Sequence, residues 1–236
     1  MKWPFVISLI LTVCFILPAH SANISIALPH LPPLISIDEN KQPHGVFVDH
    51  LNVLFSKNNI SPTYIVVPWR RAMHSVESGK ADLTLLATNI GWVQDHFLIT
   101  DSLMSRKIVL VTQKSISQGT IKSVDDSSQL SVATVSGDSL EVELSGRGIP
   151  HKTFPTIKNG LKMLVSDRFD AILTYQSTAQ HQAELLDLKD HINFHFVQKQ
   201  PIYIGLSKRN PVLKKLVPLL NKTIQEIKKA STSSIN

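Results

Sequence analysis

The chain alternates between segments with two different hydrophobic periods. Residues 23–28 alternate isoleucine with small polar residues, which is typical of a strand, whereas Val48, Leu51 and Leu54 recur on one face of a helix that ends near residue 58. The same patterns predict strands at residues 62–67, 81–88, 107–112, 131–135, 169–173, 192–197 and 202–207, and helices at residues 69–78, 137–144, 156–166, 175–186 and 210–230, with a frayed tail at 231–236. Short strands alternating with helices indicate an α/β fold with largely parallel sheets.

The first 21 residues have the pattern of an export signal. Lys2 precedes an apolar run at residues 5–17, Pro18 ends the run, and Ala-His-Ser follows at 19–21. The run is shorter than the roughly 20 residues that a membrane-spanning helix needs. We therefore expect a cleaved signal peptide at residues 1–21, a mature chain that begins at Ala22, and a periplasmic location.

Cysteine content and charge narrow the function classes. The one cysteine, Cys14, lies inside the signal, so the mature chain is expected to have no disulfide and no thiol nucleophile. The formal net charge is +6, but the Lys and Arg residues are scattered without a basic tract or interleaved aromatics. We expect a solvated basic surface and no nucleic-acid partner.

Six short motifs along the mature chain resemble one known family. They are Pro-Pro-Leu at 32–34, Gly-Val-Phe-Val-Asp at 45–49, Gly-Lys-Ala-Asp at 79–82, Ile-Thr-Asp-Ser at 99–102, Val-Ala-Thr-Val-Ser-Gly at 132–137 and Asp-Arg-Phe-Asp-Ala at 167–171. In this order they resemble the family 3 bacterial extracellular solute-binding proteins, which are receptors like those of amino-acid ABC transporters. In the last motif Asp167 stands where the family usually has glycine.

The resemblance implies a type II periplasmic-binding-protein fold, in which two α/β lobes are joined by two crossover strands. Lobe one would comprise residues 22–111 and 200–236, and lobe two residues 112–199. Clefts at the carboxyl ends of sheet strands are where α/β folds bind small molecules, so the ligand is expected between the lobes, which hinge motion would bring together.

Three positions depart from the residues with which many relatives hold an α-amino acid. Val93 stands where an arginine usually binds the carboxylate, and Asp138 follows Gly137 where the family usually has threonine. Tyr175, or Thr174 if the alignment is shifted by one residue, replaces the aspartate that binds the ammonium group. A buried carboxylate without a charged partner is costly. We therefore hypothesise that a free α-amino acid is not the main ligand.

Other polar and aromatic residues are candidates for the cleft, each with a structural alternative. Trp69 follows a strand end and suits stacking on a ligand, or packing at the core or hinge. Arg70 lies in the first turn of a helix, where positive charge opposes the helix dipole, and binds a ligand or simply faces solvent. Asp138 faces the cleft or caps its helix. The full set of candidate ligand-binding residues is Trp69, Arg70, Thr88, Asn89, Trp92, Ser136, Asp138, Ser139 and Tyr175.

The function expected from the resemblance is a receptor that captures a small polar molecule and presents it to an inner-membrane ABC permease. A sensing module for a membrane signalling receptor is the alternative. A dehydratase-like enzyme is less favoured, because its candidate groups Asp138, Glu141 and His30 form no known catalytic constellation. His191 and His195 have no third ligand nearby in sequence, so we expect neither metal nor cofactor, and we expect a monomer.

Overall fold

The computed structural model describes residues 22–88, 91–117 and 121–233; the predicted signal peptide lies outside these residues. The described chain contains α-helices, and all but the shortest of them match the predicted helical segments to within a few residues. They are α1 (Val46–Ser56), α2 (Trp69–Glu77), α3 (Trp92–His96), α4 (Ser139–Gly146), α5 (Ile157–Leu164), α6 (Gln176–Leu185) and α7 (Val212–Ser233). None of these helices is both long enough and apolar enough to cross a membrane.

The described strands run from Ala22 to the start of α7. They are β1 (Ala22–Leu28), β2 (Ser36–Ile37), β3 (Pro43–His44), β4 (Ile60–Val66), β5 (Leu83–Leu86), β6 (Phe97–Ile99), β7 (Met104–Gln113), β8 (Val132–Val135), β9 (His151–Phe154), β10 (Ala171–Tyr175) and β11 (Ile192–Ser207). β2 and β3 form a separate hairpin, and the others form a sheet in the order β4-β1-β5-β11-β7-β10-β8-β9, with β6 paired to β11.

The sheet is mixed, and its centre is antiparallel. β1 pairs in parallel with β4 and β5, and β8 pairs in parallel with β9 and β10. Between these two parallel groups, β7 and β11 pair antiparallel over most of their lengths. The predicted α/β class with two parallel units joined by two crossover strands is confirmed.

One strand prediction was wrong. Residues 192–197 and 202–207 are not two strands but parts of β11, a single strand of 16 residues with a register shift between Phe196 and Gln198. The polar stretch Gln198–Gln200 hid this continuity. This polar stretch stays in the sheet because its main chain pairs with β7, and main-chain hydrogen bonds do not depend on the side chains.

Several short elements were also missed, and one helix end was misplaced. α3 has five residues, and β6 and β9 have three and four, which is too short for a period to be recognised. The last helix continues to Ser233, so the frayed tail predicted from residue 231 begins too early.

The buried side chains form clusters that fall into two groups along the chain. One group draws its buried members from residues 24–104 and 202–224, and includes Phe47, Phe55 and Leu220. The other draws its buried members from residues 108–197, and includes Leu161 and Leu173. We propose that these groups are the cores of the two predicted lobes, 22–111 with 200–236 and 112–199, although residues 108–111, predicted in lobe one, pack in the second group.

The aspartate of the Gly-Lys-Ala-Asp motif ties three segments together. Oδ2 of Asp82 accepts hydrogen bonds from the backbone N–H and the hydroxyl of Ser25, at 2.9 and 2.8 Å. Its Oδ1 accepts a 3.0 Å bond from the side chain of Asn210. Asp170 of the second motif likewise accepts a 2.7 Å bond from the backbone N–H of Ser131. Each of these aspartates directly precedes a strand, β5 or β10, and ties the start of that strand to the backbone of another segment.

Candidate functional site

A cavity of about 560 Å³ opens between the elements that carry the two groups of buried residues. It lies at the carboxyl ends of β1, β4, β5, β8 and β10. We call it the arginine cavity. Its walls are mostly apolar and carry two arginines. The lining residues are Pro29, His30, Leu31, Val66, Val67, Pro68, Trp69, Arg70, Leu85, Leu86, Ala87, Arg106, Val135, Ser136, Gly137, Asp138, Ser139, Tyr175 and Ile202. Strand ends that converge on one crevice are the usual ligand position in α/β folds.

Arg106 enters this cavity from β7 and is held by two contacts. The central carbon of its guanidinium lies 3.4 Å from the centroid of the Tyr175 ring, which is a cation–π contact. Its Nε donates a 2.8 Å hydrogen bond to Oε1 of Gln200 on β11. Two crossing strands and the end of β10 thus set the plane of the guanidinium.

Arg70 reaches toward the cavity from the start of α2. Its side chain is exposed, and its Nε lies 3.7 Å from the position that a Cβ would take on Gly137. Gly137 has a φ of +78°, a conformation that glycine adopts without strain. Arg70 therefore approaches the turn before α4 from the opposite side of the cavity.

The turn that opens α4 is joined to Tyr175. Asp138 is the N-cap of α4, and its Oδ1 accepts hydrogen bonds from the Ser139 backbone N–H at 2.5 Å and from the Tyr175 hydroxyl at 2.8 Å. The Ser139 hydroxyl also lies 2.7 Å from the Tyr175 hydroxyl. Burial raises the pKa of Tyr175, so the phenol stays protonated and remains a donor.

The carboxylate of Glu141 accepts a hydrogen bond from another backbone N–H of this turn. The backbone N–H of Gly137 donates a short hydrogen bond to Oε2 of Glu141. The N–H groups of Gly137 and Ser139 are therefore both bonded to side chains of the protein itself. Asp138 therefore caps its helix and also lines the cavity, so the two positions considered for it are compatible.

A second cavity of about 600 Å³ adjoins the first and shares Trp69, Leu86, Ala87 and Ser139 with it. Its other walls are Met73, Thr88, Trp92, Val93, Val142, Glu143, Gln198, Lys199, Gln200, Pro201 and Tyr203. Trp92 is 48% exposed at its edge and stacks on the His96 ring, with centroids 4.4 Å apart. We call this space the tryptophan cavity.

The structure brings most of the candidate residues to these two cavities. Trp69, Arg70, Ser136, Asp138, Ser139 and Tyr175 line the arginine cavity, and Thr88 and Trp92 line the tryptophan cavity, which also contains Trp69 and Ser139. Asn89 lies outside the described residues. That any of these residues contacts a ligand stays a prediction.

Arg106 was missed because the predicted strand began one residue after it. A strand places residues i, i+2 and i+4 on one face, so Arg106 shares a face with the fully buried Ile108 and Leu110. A charged residue that continues a buried strand face was the available signal. Val93 stands at the position where the resemblance places the carboxylate-binding arginine. Its side chain is buried in a cluster with Met73 and Phe97.

Residues 24–234 match the family model for bacterial extracellular solute-binding proteins, family 3. This match covers most of the chain, and the chain therefore belongs to that family of binding proteins. The resemblance predicted from the six motifs is confirmed. No curated protein sequence matches the chain significantly.

Solved structures share the fold at low sequence identity. A substrate-binding protein of an ABC uptake transporter from Streptococcus pneumoniae, with bound histidine, has a TM-score of 0.69 and 18% identity over 88% of this chain and 87% of that chain. An ancestral arginine-binding protein bound to arginine has a TM-score of 0.69 and 20% identity, over 89% and 94%. A histidine kinase sensor domain with similarity to periplasmic binding proteins has a TM-score of 0.73 and 14% identity, over 91% and 94%.

Proposed function

We propose that this protein is a periplasmic receptor that captures a small molecule in the arginine cavity and presents it to a membrane protein. Family membership supports the class, and the position of the cavity at converging strand ends supports the place. Residues from 29–31, 66–70 and 85–87 face residues 135–139 and Tyr175 across the cavity. A ligand that touches both walls would favour a closed arrangement of the two groups of elements.

We further propose that the ligand is not held by the usual α-amino-acid contacts. The observation that carries this proposal is the pair of carboxylates at the start of α4, where Asp138 bonds to the Ser139 N–H and Glu141 to the Gly137 N–H. A ligand carboxylate would have to displace them and would meet two negative charges. Val93 offers no cation, and Tyr175 is committed to Asp138.

The test is a binding screen on the mature protein that begins at Ala22. Thermal shift with amino acids, polyamines, small carboxylates, aromatic metabolites and short peptides would be followed by calorimetry on each hit. A ligand present at ~100 times its Kd adds about 2.7 kcal/mol of stability, which raises the midpoint by roughly 5–10 °C for a protein of this size. We expect a hit outside the standard α-amino acids.

Two results would contradict the proposal. Micromolar or tighter binding of a standard α-amino acid would show that the altered positions still provide its contacts. The absence of binding by every compound class in the screen would argue against a small-molecule receptor.

A sensing role is the second candidate, since the chain shares its fold with a histidine kinase sensor domain. Cross-linking of the ligand-loaded protein to its native membranes, followed by mass spectrometry, separates the two roles. Capture of a permease supports transport, and capture of a kinase or another signalling receptor supports sensing.

An enzymatic role has less support. Asp138 and Glu141, two of the three groups considered for proton transfer, are both bonded to backbone N–H groups at the start of α4. His30 remains at the cavity wall. Mass spectrometry of the bound compound after prolonged incubation would reveal turnover, and we expect the compound to be recovered unchanged.

A further inference from the structure

We propose that the arginine cavity takes a small organic carboxylate with a flat apolar body and no ammonium group, held between Arg106 and Arg70. This inference rests on the proposed function, because it names the class of ligand for the same cavity. It follows from the charge balance of the cavity, the preset geometry of Arg106 and the composition of the walls.

The charge balance favours an anion. The charged side chains at the cavity are Arg70, Arg106 and Asp138, with His30 as a further titratable group. Asp138 already accepts from the Ser139 N–H and the Tyr175 hydroxyl, so it has little capacity left for a ligand cation. Among the described residues neither arginine forms an ion pair. The carboxylates of Asp138 and Glu141 are both bonded at the start of α4, so the charge of Arg106, on the β7 side of the cavity, has no carboxylate paired with it in the part of the chain that the structure describes.

Arg106 is positioned to bind a carboxylate with both of its terminal nitrogens. Its guanidinium face is covered by Tyr175, and its Nε is bonded to Gln200. Within the described part of the chain, its Nη1 and Nη2 have no hydrogen-bond acceptor. A planar guanidinium with a fixed orientation and two free N–H groups matches the two oxygens of a carboxylate.

Arg70 supplies a second positive charge. It stands at the other side of the cavity near Gly137, and among the described residues its guanidinium has no acceptor. Its exposure lets it swing toward a bound anion, whereas Arg106 is half-buried and held. We therefore expect Arg106 to contribute more of the affinity than Arg70.

The walls suit an apolar body and disfavour an ammonium group. Val66, Pro68, Trp69, Leu86 and Ile202 line the cavity, and the indole of Trp69 is half-buried. A flat ring gains dispersion and stacking contacts against such a surface. An α-ammonium group would lie near arginines while the carboxylates of Asp138 and Glu141 are already bonded, so its desolvation would not be compensated.

The test compares four matched aromatic probes by calorimetry on the mature protein. Benzoate and phenylacetate carry the carboxylate, benzyl alcohol is neutral and benzylamine is cationic. We expect the carboxylates to bind and the other two to bind at least about 10-fold more weakly, as loss of a bidentate charged pair implies. Carboxylate affinity should also fall as salt rises.

Variants assign the effect to the two arginines. Arg106→Gln should weaken the carboxylates by about 10-fold or more, Arg106→Lys should be intermediate because it keeps charge without the fork, and Arg70→Gln should weaken them by about 3-fold. Arg71→Gln is the matched control, because Arg71 is exposed on the same helix and lines neither cavity. Circular dichroism would confirm that each variant is folded.

The inference is overturned if benzylamine or benzyl alcohol binds as tightly as the carboxylates. It is also overturned if neither carboxylate binds at millimolar concentration, or if both arginine variants keep wild-type affinity. Binding of a neutral or cationic compound from the wider screen would then leave the proposed receptor function intact, whereas a screen without any hit would count against both.

Discussion

The hydroxyl of Tyr175 donates a 2.8 Å hydrogen bond to Oδ1 of Asp138, which joins the end of β10 to the first turn of α4. The ring of the same tyrosine supports Arg106 at 3.4 Å. Tyr175 therefore holds both a negative and a positive group of the arginine cavity. Removing its hydroxyl separates the two roles, because a phenylalanine keeps the ring.

Tyr175→Phe should destabilise the protein while leaving the Arg106 stack in place. The change leaves Asp138 without one donor in a half-buried position, and we expect a loss of about 1–2 kcal/mol in the free energy of unfolding. Urea unfolding measures it. Tyr64→Phe is the control, because the Tyr64 hydroxyl bonds to Asn52 in an exposed pair and should cost less than about 0.5 kcal/mol. Equal losses in the two variants would contradict this account.

Gly45→Ala should be strongly destabilising. Gly45 has a φ of +115°, and a Cβ there would lie 2.6 Å from the carbonyl oxygen of Pro33 and 2.7 Å from that of Leu34. These are backbone atoms, so the clash can be relieved only by moving the backbone of Pro33 and Leu34. We expect a loss of at least about 2–3 kcal/mol in the free energy of unfolding. Chemical denaturation gives the value.

Gly146→Ala provides the matched comparison. Gly146 ends α4, and a Cβ there would have no atom within 4 Å. Alanine in a helix is favoured over glycine by about 0.5–1 kcal/mol, so this variant should be as stable as the wild type or slightly more stable. A similar destabilisation of both variants would mean that steric crowding at Gly45 is not the cause.

Asp82→Ala should lower stability without changing ligand affinity. The carboxylate accepts three hydrogen bonds from Ser25 and Asn210 and lines neither cavity. Loss of hydrogen bonds to a charged group leaves the Ser25 N–H without its partner, and we expect a cost of about 2–4 kcal/mol. Asp190→Ala, at an exposed position, should cost less than about 0.5 kcal/mol. A change in Kd well beyond error in folded Asp82→Ala would show a role in binding instead.

Stability should fall as pH drops below about 6.5, in part because of His195. Its Nε2 lies 2.9 Å from the Thr112 hydroxyl, and within the described residues its buried Nδ1 has no partner. Burial lowers the pKa of His195 below its usual value, because the charged imidazolium is desolvated. The unfolded chain therefore binds the proton more readily, and folding free energy is lost from about pH 6.5 down to the folded pKa.

The difference between wild type and His195→Gln isolates this contribution from the other histidines. Unfolding free energies at pH 7.5 and pH 5 should differ less in the variant than in the wild type. If the variant loses as much stability as the wild type over that range, His195 does not contribute to the pH dependence.

Local patterns predicted the regular elements well where they were long enough to show a period. The helix predicted at residues 69–78 agrees with α2, and Gly79, which follows it, has a φ of +80°. Asp167, which stands in place of the family's glycine, also has a positive φ, of 56°, a conformation that aspartate tolerates better than most residues. The continuous strand β11 was not predictable, since its middle residues are polar and only pairing with β7 keeps them in the sheet.

The sequence predicted which loops lie at the candidate site, but it did not predict that Arg106 is part of it. Loops that follow strands were recognised as the ligand side, because that rule depends only on strand order. The position of Asp138 was open between a cleft residue and a helix cap, and the turn before α4 lets it be both. Arg106 could not be placed, because its neighbours Tyr175 and Gln200 are 69 and 94 residues away in the sequence.

The sequence by itself determined the family, the α/β class and the order of most elements, because each depends on residue type and local spacing. The lack of the usual amino-acid contacts stays a prediction. The tertiary structure decided which donors at the start of α4 are already occupied and which cations remain free in the cavity. Those facts depend on distances between residues far apart in the chain, and a hydrogen bond is lost when its donor and acceptor move about one ångström beyond their usual separation.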